Sequence, residues 1–139
     1  MKLSVKSDYA ARAVLWLAQR HGDGQTRKVE EMASDQGIPP NYLTQILIEL
    51  KSKQIVRSHR GREGGYQLAR SPSEITLGDV IRCVHGEVFD SPAMTSPHGP
   101  PELREAWKSL QRSLNEAADN ITFQKLLDVA AGKEKMYYI

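Results

Sequence analysis

The chain has 139 residues, of which 40% are hydrophobic and 26% are charged, as is typical of a globular protein with one ordinary domain. No apolar run approaches the roughly 20 residues of a membrane span, and the N-terminal segment lacks the apolar stretch of a signal peptide. We therefore expect a cytoplasmic protein with no membrane partner. The single cysteine, Cys83, excludes an internal disulfide and any cysteine-only metal site within one chain.

The net charge of +2 conceals a difference between the two halves of the chain. Residues 1–70 contain 12 Lys and Arg against 7 Asp and Glu, whereas residues 71–139 contain 7 against 10. A basic half is typical of a surface that faces nucleic-acid phosphates. An excess of five charges is small, so ordinary scatter of surface charge remains the alternative.

Residues 6–20 are predicted to form the first helix, because their apolar residues recur at helical spacing. Gly22 and Gly24 end it. We interpret it as a support helix for the elements that follow. Tyr9 and Trp16 are expected to pack in or near the core.

A helix-turn-helix is predicted next, with helices over residues 29–36 and 40–53. Gly37 and Pro39 separate them, and Pro40 is suited to open the second helix. Leu43, Ile46, Leu47 and Leu50 form its buried stripe. The outward polar positions are candidate DNA contacts, since Asn and Gln can bond bidentately to adenine, Thr can meet thymine and Lys can meet phosphate; the alternative is that they are only solvated. These candidates are Asn41, Tyr42, Thr44, Gln45 and Lys51.

A basic hairpin follows, with strand-forming residues at 55–56 and 66–69 on either side of a glycine-rich turn. Three arginines, Arg57, Arg60 and Arg62, are expected to project from it, and Gly61 permits the tight turn. All four are candidate DNA contacts, since a wing of this kind lies along the phosphate backbone or inserts an arginine into a narrow minor groove. Helix, turn, helix and basic hairpin are the order of a winged helix-turn-helix. The predicted fold is therefore mainly α with a small β-hairpin wing.

The second half contains a predicted helix over residues 76–85, an irregular loop over 86–101, a long helix and a last short helix over 122–131. The long helix has apolar residues spaced by four and three, which is a heptad seam that needs a partner. We expect that partner to be the same helix of a second chain; packing against its own domain is the alternative. The predicted division is 1–85 for DNA binding, 86–101 as a loop, and 102–139 for dimerisation and the tail. The seam consists of Leu103, Trp107, Leu110, Leu114, Ala117 and Ile121.

Several motifs resemble the Rrf2 family of bacterial transcription regulators: Tyr42-Leu43-Thr44-Gln45, Arg60-Gly61 followed by Gly64-Gly65-Tyr66, and Ile75 to Ile81. The resemblance implies a homodimer that pairs through the long helix and binds a pseudo-palindromic DNA operator. Asn41, Thr44 and Gln45 would then face bases, and Arg60 would enter the minor groove. Many relatives have glutamate in place of Thr44, so the DNA sequence that is recognised is expected to differ.

The chain departs from the iron–sulfur members of the family, which have three cysteines in the loop corresponding to residues 87–101. No cysteine lies there, and thiolates hold such clusters. We therefore predict no cluster, no cofactor and no metal site. A site made of Cys83, His85 and His98 is a weak alternative to a buried cysteine and two surface histidines.

The chain resembles most the cluster-free members that repress cysteine metabolism. The resemblance implies cysteine synthase as a partner, which accepts tails that end in isoleucine, here Tyr137, Tyr138 and Ile139. The alternative is that this tail packs on its own dimer. A second function in the same fold is a thiol-redox or small-molecule sensor that acts through Cys83 or a ligand at the dimer interface. We find no catalytic pairing of residues and predict no enzyme.

Overall fold

Six α-helices and one β-hairpin make up residues 2–132, the part of the chain that this computed structural model describes. The mainly α fold with a hairpin wing is thereby confirmed, and most boundaries lie within a residue or two of those predicted. The elements in order are α1 (Val5–Gln19), α2 (Val29–Gln36), α3 (Pro40–Ser52), β1 (Val56–His59), β2 (Gly65–Leu68), α4 (Leu77–Val84), α5 (Pro101–Asp119) and α6 (Phe123–Ala130).

Helix α1 runs through the centre of the core. It begins after Ser4, whose side chain accepts a hydrogen bond from the Ser7 amide at 3.1 Å and so satisfies one free donor of the first turn. Its buried face packs against α2, α3, α4 and α6. Trp16 is only 2% exposed and its Nε1 donates to Asp35 at 2.9 Å, so the predicted core role of this residue is confirmed.

The turn between α2 and α3 follows the predicted chemistry. Gly37 closes α2 in the left-handed conformation, with φ 63°, and Pro40 opens α3 at its first turn. One face of α3 is completely buried, which leaves the opposite face for contacts outside the domain. The buried side chains are the predicted Leu43, Ile46, Leu47 and Leu50.

Strands β1 and β2 pair antiparallel, with Val56 opposite Leu68 and His59 opposite Gly65. Val56 and Leu68 are both buried, so the base of the hairpin belongs to the core and only its tip extends outward.

Helix α6 returns to the core after α5 leaves it. Phe123 is fully buried in the same cluster as the α1 side chains. Backbone hydrogen bonds from Leu77 N to Ile121 O (2.9 Å) and from Phe123 N to Ile75 O (3.0 Å) join the start of α6 to the segment before α4. Helix α6 therefore completes the core around α1, although the predicted division assigned it to the dimerisation part. The division of the chain at residue 102 stays a prediction.

Loop 86–100 is less irregular than the sequence indicates. It contains a short 3₁₀ turn over Pro92–Met94, and Met94 is buried. Two side chains of α5 hold it: Arg104 donates to Ser96 O at 3.3 Å and Gln111 to Phe89 O at 2.9 Å. The loop therefore lies against α5.

Candidate nucleic-acid interface

The outer face of α3 carries the candidate base-reading residues. Asn41, Gln45 and Lys51 are exposed, and Ile48, on the same outer face, is 49% exposed. Since the opposite stripe of α3 is fully buried, this face is fixed in its orientation by the core. It presents two amides and an apolar side chain, which are the groups that read adenine edges and thymine methyls.

Two neighbours on this face are held by contacts within the domain. Thr44 is half-buried and its Oγ1 donates to Pro40 O at 3.0 Å, so its hydroxyl oxygen is left to act as an acceptor. The Tyr42 ring lies edge-on to Tyr9, with centroids 5.8 Å apart. Thr44 is thus suited to accept from the amino group of adenine or cytosine, while Tyr42 is anchored on α1.

The three arginines of the wing occupy different positions. Arg57 lies on β1, and with the Gln67 amide oxygen turned towards it, its Nε and Nη2 donate to that oxygen at 2.7 and 2.9 Å. Arg60 and Arg62 lie at the exposed tip, on either side of Gly61, which has φ 99°. Arg57 is therefore held across the hairpin, whereas the two tip arginines extend beyond it.

The wing has a support that sequence reasoning missed. Arg27 pairs with Tyr66 through two backbone hydrogen bonds of 2.8 Å, which add a one-residue third strand beside β2. Beside it, the Thr26 hydroxyl donates to Glu63 O and Lys28 Nζ donates to Arg62 O at 2.9 Å. A single pairing residue produces no alternation in the sequence, so no signal was available to predict it.

Close backbone approach explains the two adjacent glycines of the wing. A Cβ on Gly65 would collide with the Arg27 carbonyl, lying 2.7 Å from its carbon. A Cβ on Gly64 would lie 2.7 Å from Gly61 O. Gly65 adopts a positive φ of 151°, whereas Gly64 does not, so at Gly64 the lack of a side chain is required by space alone.

An ion pair removes a negative charge from the edge of this surface. Lys6 Nζ lies 2.7 Å from the Glu49 carboxylate and joins α1 to α3. An unpaired carboxylate on α3 would repel DNA phosphates, and the lysine neutralises it.

Comparisons with known proteins agree with this geometry. The family described as "Rrf2: Iron-dependent Transcriptional regulator" matches residues 3–129. This chain belongs to the Rrf2 family. Its members and structural neighbours are transcription regulators, so the protein is a winged-helix DNA-binding regulator and not an enzyme.

Two family members match almost the whole chain. The Mycobacterium tuberculosis protein Rv1287, whose name describes an HTH-type transcriptional regulator, is 41% identical over 137 residues, covering 95% of this chain and 83% of its own. The HTH-type transcriptional regulator CymR of Bacillus subtilis is 32% identical over 137 residues, and the match covers 99% of this chain and 97% of CymR.

Solved structures of the family superpose well. CymR, titled the global cysteine regulator of B. subtilis, has a TM-score of 0.80 at 28% identity and covers 93% of this chain and 98% of its own. The IscR of T. potens has a TM-score of 0.77 at 30% identity, and the match covers 99% of this chain and 94% of the IscR chain.

Residues 2–132 offer no set of metal ligands that matches the iron dependence in the family's description. Loop 86–100 contains no cysteine. Within residues 2–132, no three His, Cys, Asp or Glu side chains come together in a way that could hold a metal ion. His85 and His98 are both exposed. The described residues do not fit an iron–sulfur cluster, and its absence stays a prediction.

Cys83 is half-buried and in contact with α3. Its Sγ donates to Glu49 O at 3.2 Å. Burial raises the pKa of the thiol, and the nearby Glu49 carboxylate raises it further. The raised pKa keeps the thiol mostly protonated at neutral pH, which slows its reaction with electrophiles.

The long helix of this family member exposes its predicted seam. None of the residues of α5, all of which the structure describes, is buried. Leu103 and Leu110 are 44% and 47% exposed, Ala117 is exposed, and Trp107 and Leu114 are half-buried. Ile121, the last predicted seam residue, lies beyond the end of α5, where its carbonyl accepts a hydrogen bond from Leu77 N. The hydrogen bonds and the ion pair of α5 to its own domain come instead from polar side chains: Arg104, Gln111, Asn115 and Asp119.

No helix within residues 2–132 has the length and apolar character needed to cross a membrane.

Proposed function

We propose that the protein is a homodimeric cytoplasmic repressor that binds a pseudo-palindromic operator, with α3 in the major groove and the wing at the minor groove. The observation that carries this proposal is the pair of exposed amides, Asn41 and Gln45, on a helix whose other face is fully buried. Such side chains at the N-terminal end of a recognition helix read base edges. Arg60 at the wing tip supplies the minor-groove contact, and Lys51 a phosphate contact.

Dimerisation through α5 accounts for the exposed seam. A helix with five apolar residues at heptad spacing and polar links to its own domain has its apolar side available to a second copy. The dimer would present two copies of α3, and the operator would contain two half-sites related by a two-fold axis.

Base readout is tested by selecting binding sites from randomised DNA with the wild type and with Gln45→Ala. The wild type is expected to select an inverted repeat. Gln45→Ala is expected to lose preference at one base pair of each half-site, with binding to the wild-type site weaker by about 1–3 kcal/mol. Glu30→Ala, at an exposed position in the first turn of α2, is the matched control and should select the wild-type site. Selection of no repeat by the wild type would contradict the proposal.

The proposed signal is cysteine supply, sensed through cysteine synthase. Its support is the similarity to CymR, together with Tyr137, Tyr138 and Ile139, a segment outside the described residues. A carboxylate can be captured by backbone N–H groups while a preceding aromatic ring fills an apolar pocket. The alternative for this segment is packing on its own dimer.

The tail is tested with immobilised protein and purified cysteine synthase. The wild type should retain the enzyme, and a variant without Tyr138 and Ile139 should not, while its operator affinity stays unchanged. One glycine added after Ile139 keeps the side chains but displaces the carboxylate, and should also abolish retention. Retention by the truncated variant would refute the proposal, and altered dimer stability in the truncated variant would favour packing on the dimer.

A thiol-redox sensor of the same fold has less support. Its responsive group would be Cys83, and burial together with the hydrogen bond to Glu49 O lowers the reactivity of this thiol. A sensor that binds a small ligand at the α5 interface remains compatible with the exposed seam.

A further inference from the structure

A cavity of about 270 Å³ lies between the end of α1, the loop before α2 and the wing. Leu17, Tyr66 and Leu68 supply its apolar side chains. Around them stand three arginines from three different elements: Arg20 at the end of α1, Arg27 before α2 and Arg57 on β1. The proposed reading of DNA by α3 and the wing tip leaves the cavity without a role.

Positive charge exceeds negative charge in this lining. Asp23 is the one carboxylate among the lining residues, and it pairs with Arg27. The backbone N–H of Gln25 donates to the Asp23 carboxylate at 2.8 Å. This hydrogen bond and the positive charge of Arg27 lower the pKa of the Asp23 carboxyl, so Asp23 stays charged. Arg57 has only the neutral Gln67 amide as a partner in the cavity. The lining residues therefore have a net formal charge of +2.

Arg20 and Arg27 each have a partner other than a bound ligand. Arg20 contacts Trp16 and Asp35, which do not line the cavity, and Arg27 pairs with Asp23. Arg20 lies over the Trp16 ring at 3.7 Å and 3.6 Å from Asp35. The Nε of Arg27 is buried, and no atom among residues 2–132 accepts a hydrogen bond from it. A buried donor of a charged group without an acceptor is costly, and a missing ligand is one of its ordinary explanations.

We propose that this cavity binds a small anion through its carboxylate, sulfate or phosphate oxygens. Guanidinium groups form strong, paired hydrogen bonds with such oxygens, and the three lining arginines supply three such groups. The apolar side chains Leu17 and Leu68 suit a short carbon skeleton. The volume is below the usual range for drug-sized ligands, which limits the ligand to a small metabolite or an inorganic ion.

Anion binding in the cavity is coupled to the wing. Arg57 lies on β1, its partner Gln67 lies on β2, and Arg27 pairs with Tyr66 through the backbone. Arg57 is also a candidate phosphate contact, so a bound anion and DNA compete for the same guanidinium. An anion that binds the free protein better than the DNA complex weakens operator binding by the same factor.

The test follows the N–H signals of arginine Nε by NMR in the full-length protein without DNA. Succinate, sulfate and inorganic phosphate are titrated separately, with sodium chloride at matched ionic strength as the control. The Arg27 signal is expected to shift saturably with at least one of the three anions and not with chloride. No saturable shift with any anion, together with unchanged DNA binding by Arg27→Gln, would overturn the proposal.

Three variants locate the site. Arg27→Gln should weaken anion binding about tenfold or more, because a charged donor is lost. Asp23→Asn keeps the acceptor for Gln25 but removes the competing charge, and should tighten binding. Arg62→Gln, at the wing tip outside the cavity, should leave binding unchanged. If Arg27→Gln does not fold, the other two variants still decide: Asp23→Asn should bind the anion more tightly than Arg62→Gln does, and equal affinities would refute a site in this cavity.

A DNA phosphate is the second source of the same chemistry. If the ligand is a free anion, saturable shifts appear without DNA and the anion lowers operator affinity more than chloride does. If a DNA phosphate occupies the cavity, the free anions do not saturate, and Arg27→Gln lowers the salt slope of DNA binding by about one. The anion titration uses no DNA, so failure of the proposed operator binding would be distinguished from failure of this site.

Discussion

Leu110→Glu tests whether α5 forms the dimer interface. Leu110 is 47% exposed in the protomer, and full burial of a leucine contributes about 1.5–3 kcal/mol, so covering it contributes about 0.7–1.4 kcal/mol in each protomer. A two-fold interface contains the residue twice, so the substitution removes about 1.5–3 kcal/mol. Two carboxylates would also lose water at an apolar surface, which adds to this loss.

The expected result is a dimer dissociation constant raised at least about ten- to hundredfold, measured by sedimentation equilibrium. The protomer should keep its fold, because Leu110 is exposed and glutamate is as good a helix former as leucine. Circular dichroism and thermal unfolding of the diluted protein check this. Ser109→Glu adds the same charge at an exposed position outside the seam and is the matched control. If both variants dimerise as tightly as the wild type, α5 does not form the interface.

Three further substitutions and one chemical treatment test the wing, α3 and the thiol. Gly65→Ala should displace the wing from the Arg27 strand and destabilise the fold by about 2 kcal/mol, measured by urea unfolding; unchanged stability would mean that this close approach is absent. Arg60→Ala should weaken operator binding by about 1–3 kcal/mol in a mobility-shift titration, whereas Lys51→Ala should chiefly lower the salt slope. Equal affinity of Arg60→Ala and the wild type would remove the wing tip from the mechanism. Cys83 should react with a maleimide more slowly than a free thiol at pH 7.5, and the rise of its rate with pH should occur at higher pH than for a free thiol, because its pKa is raised. Equal rates in the folded protein and in urea would contradict its burial.

The sequence was sufficient to predict the elements whose stability is local. The buried stripe of α3 is a row of four large apolar residues at helical spacing, and Gly37 with Pro40 marks the turn before it. Such periodicity and turn chemistry are properties of a few neighbouring residues, so they can be read without knowledge of the fold. The exposure of Asn41 and Gln45 follows directly from the position of that stripe.

The features that the sequence did not predict depend on contacts between distant residues. Arg27 pairs with Tyr66 across 39 positions through backbone atoms alone, and any residue except proline offers those atoms. The return of Phe123 to the α1 core is also invisible in the periodicity of α6, which fits an interface as well as it fits a core. The cavity lined by Arg20 and Arg57 exists only once the wing is placed beside α1.

The contacts of Arg82 fix the orientation of α5, the proposed dimer helix, relative to α3, the proposed DNA-reading helix. Arg82 of α4 donates to Asn115 Oδ1 at 3.2 Å and pairs with Asp119, both on α5. Gly78 leaves the room for this arrangement, since a Cβ there would lie 2.7 Å from Arg82 Nη2 and collide with Asp119. Because α4 packs on α3, the end of α5 is fixed relative to the recognition helix through two contacts in series. In a dimer paired along α5, the separation of the two α3 helices is then a property of the fold, and the spacing of operator half-sites follows from it.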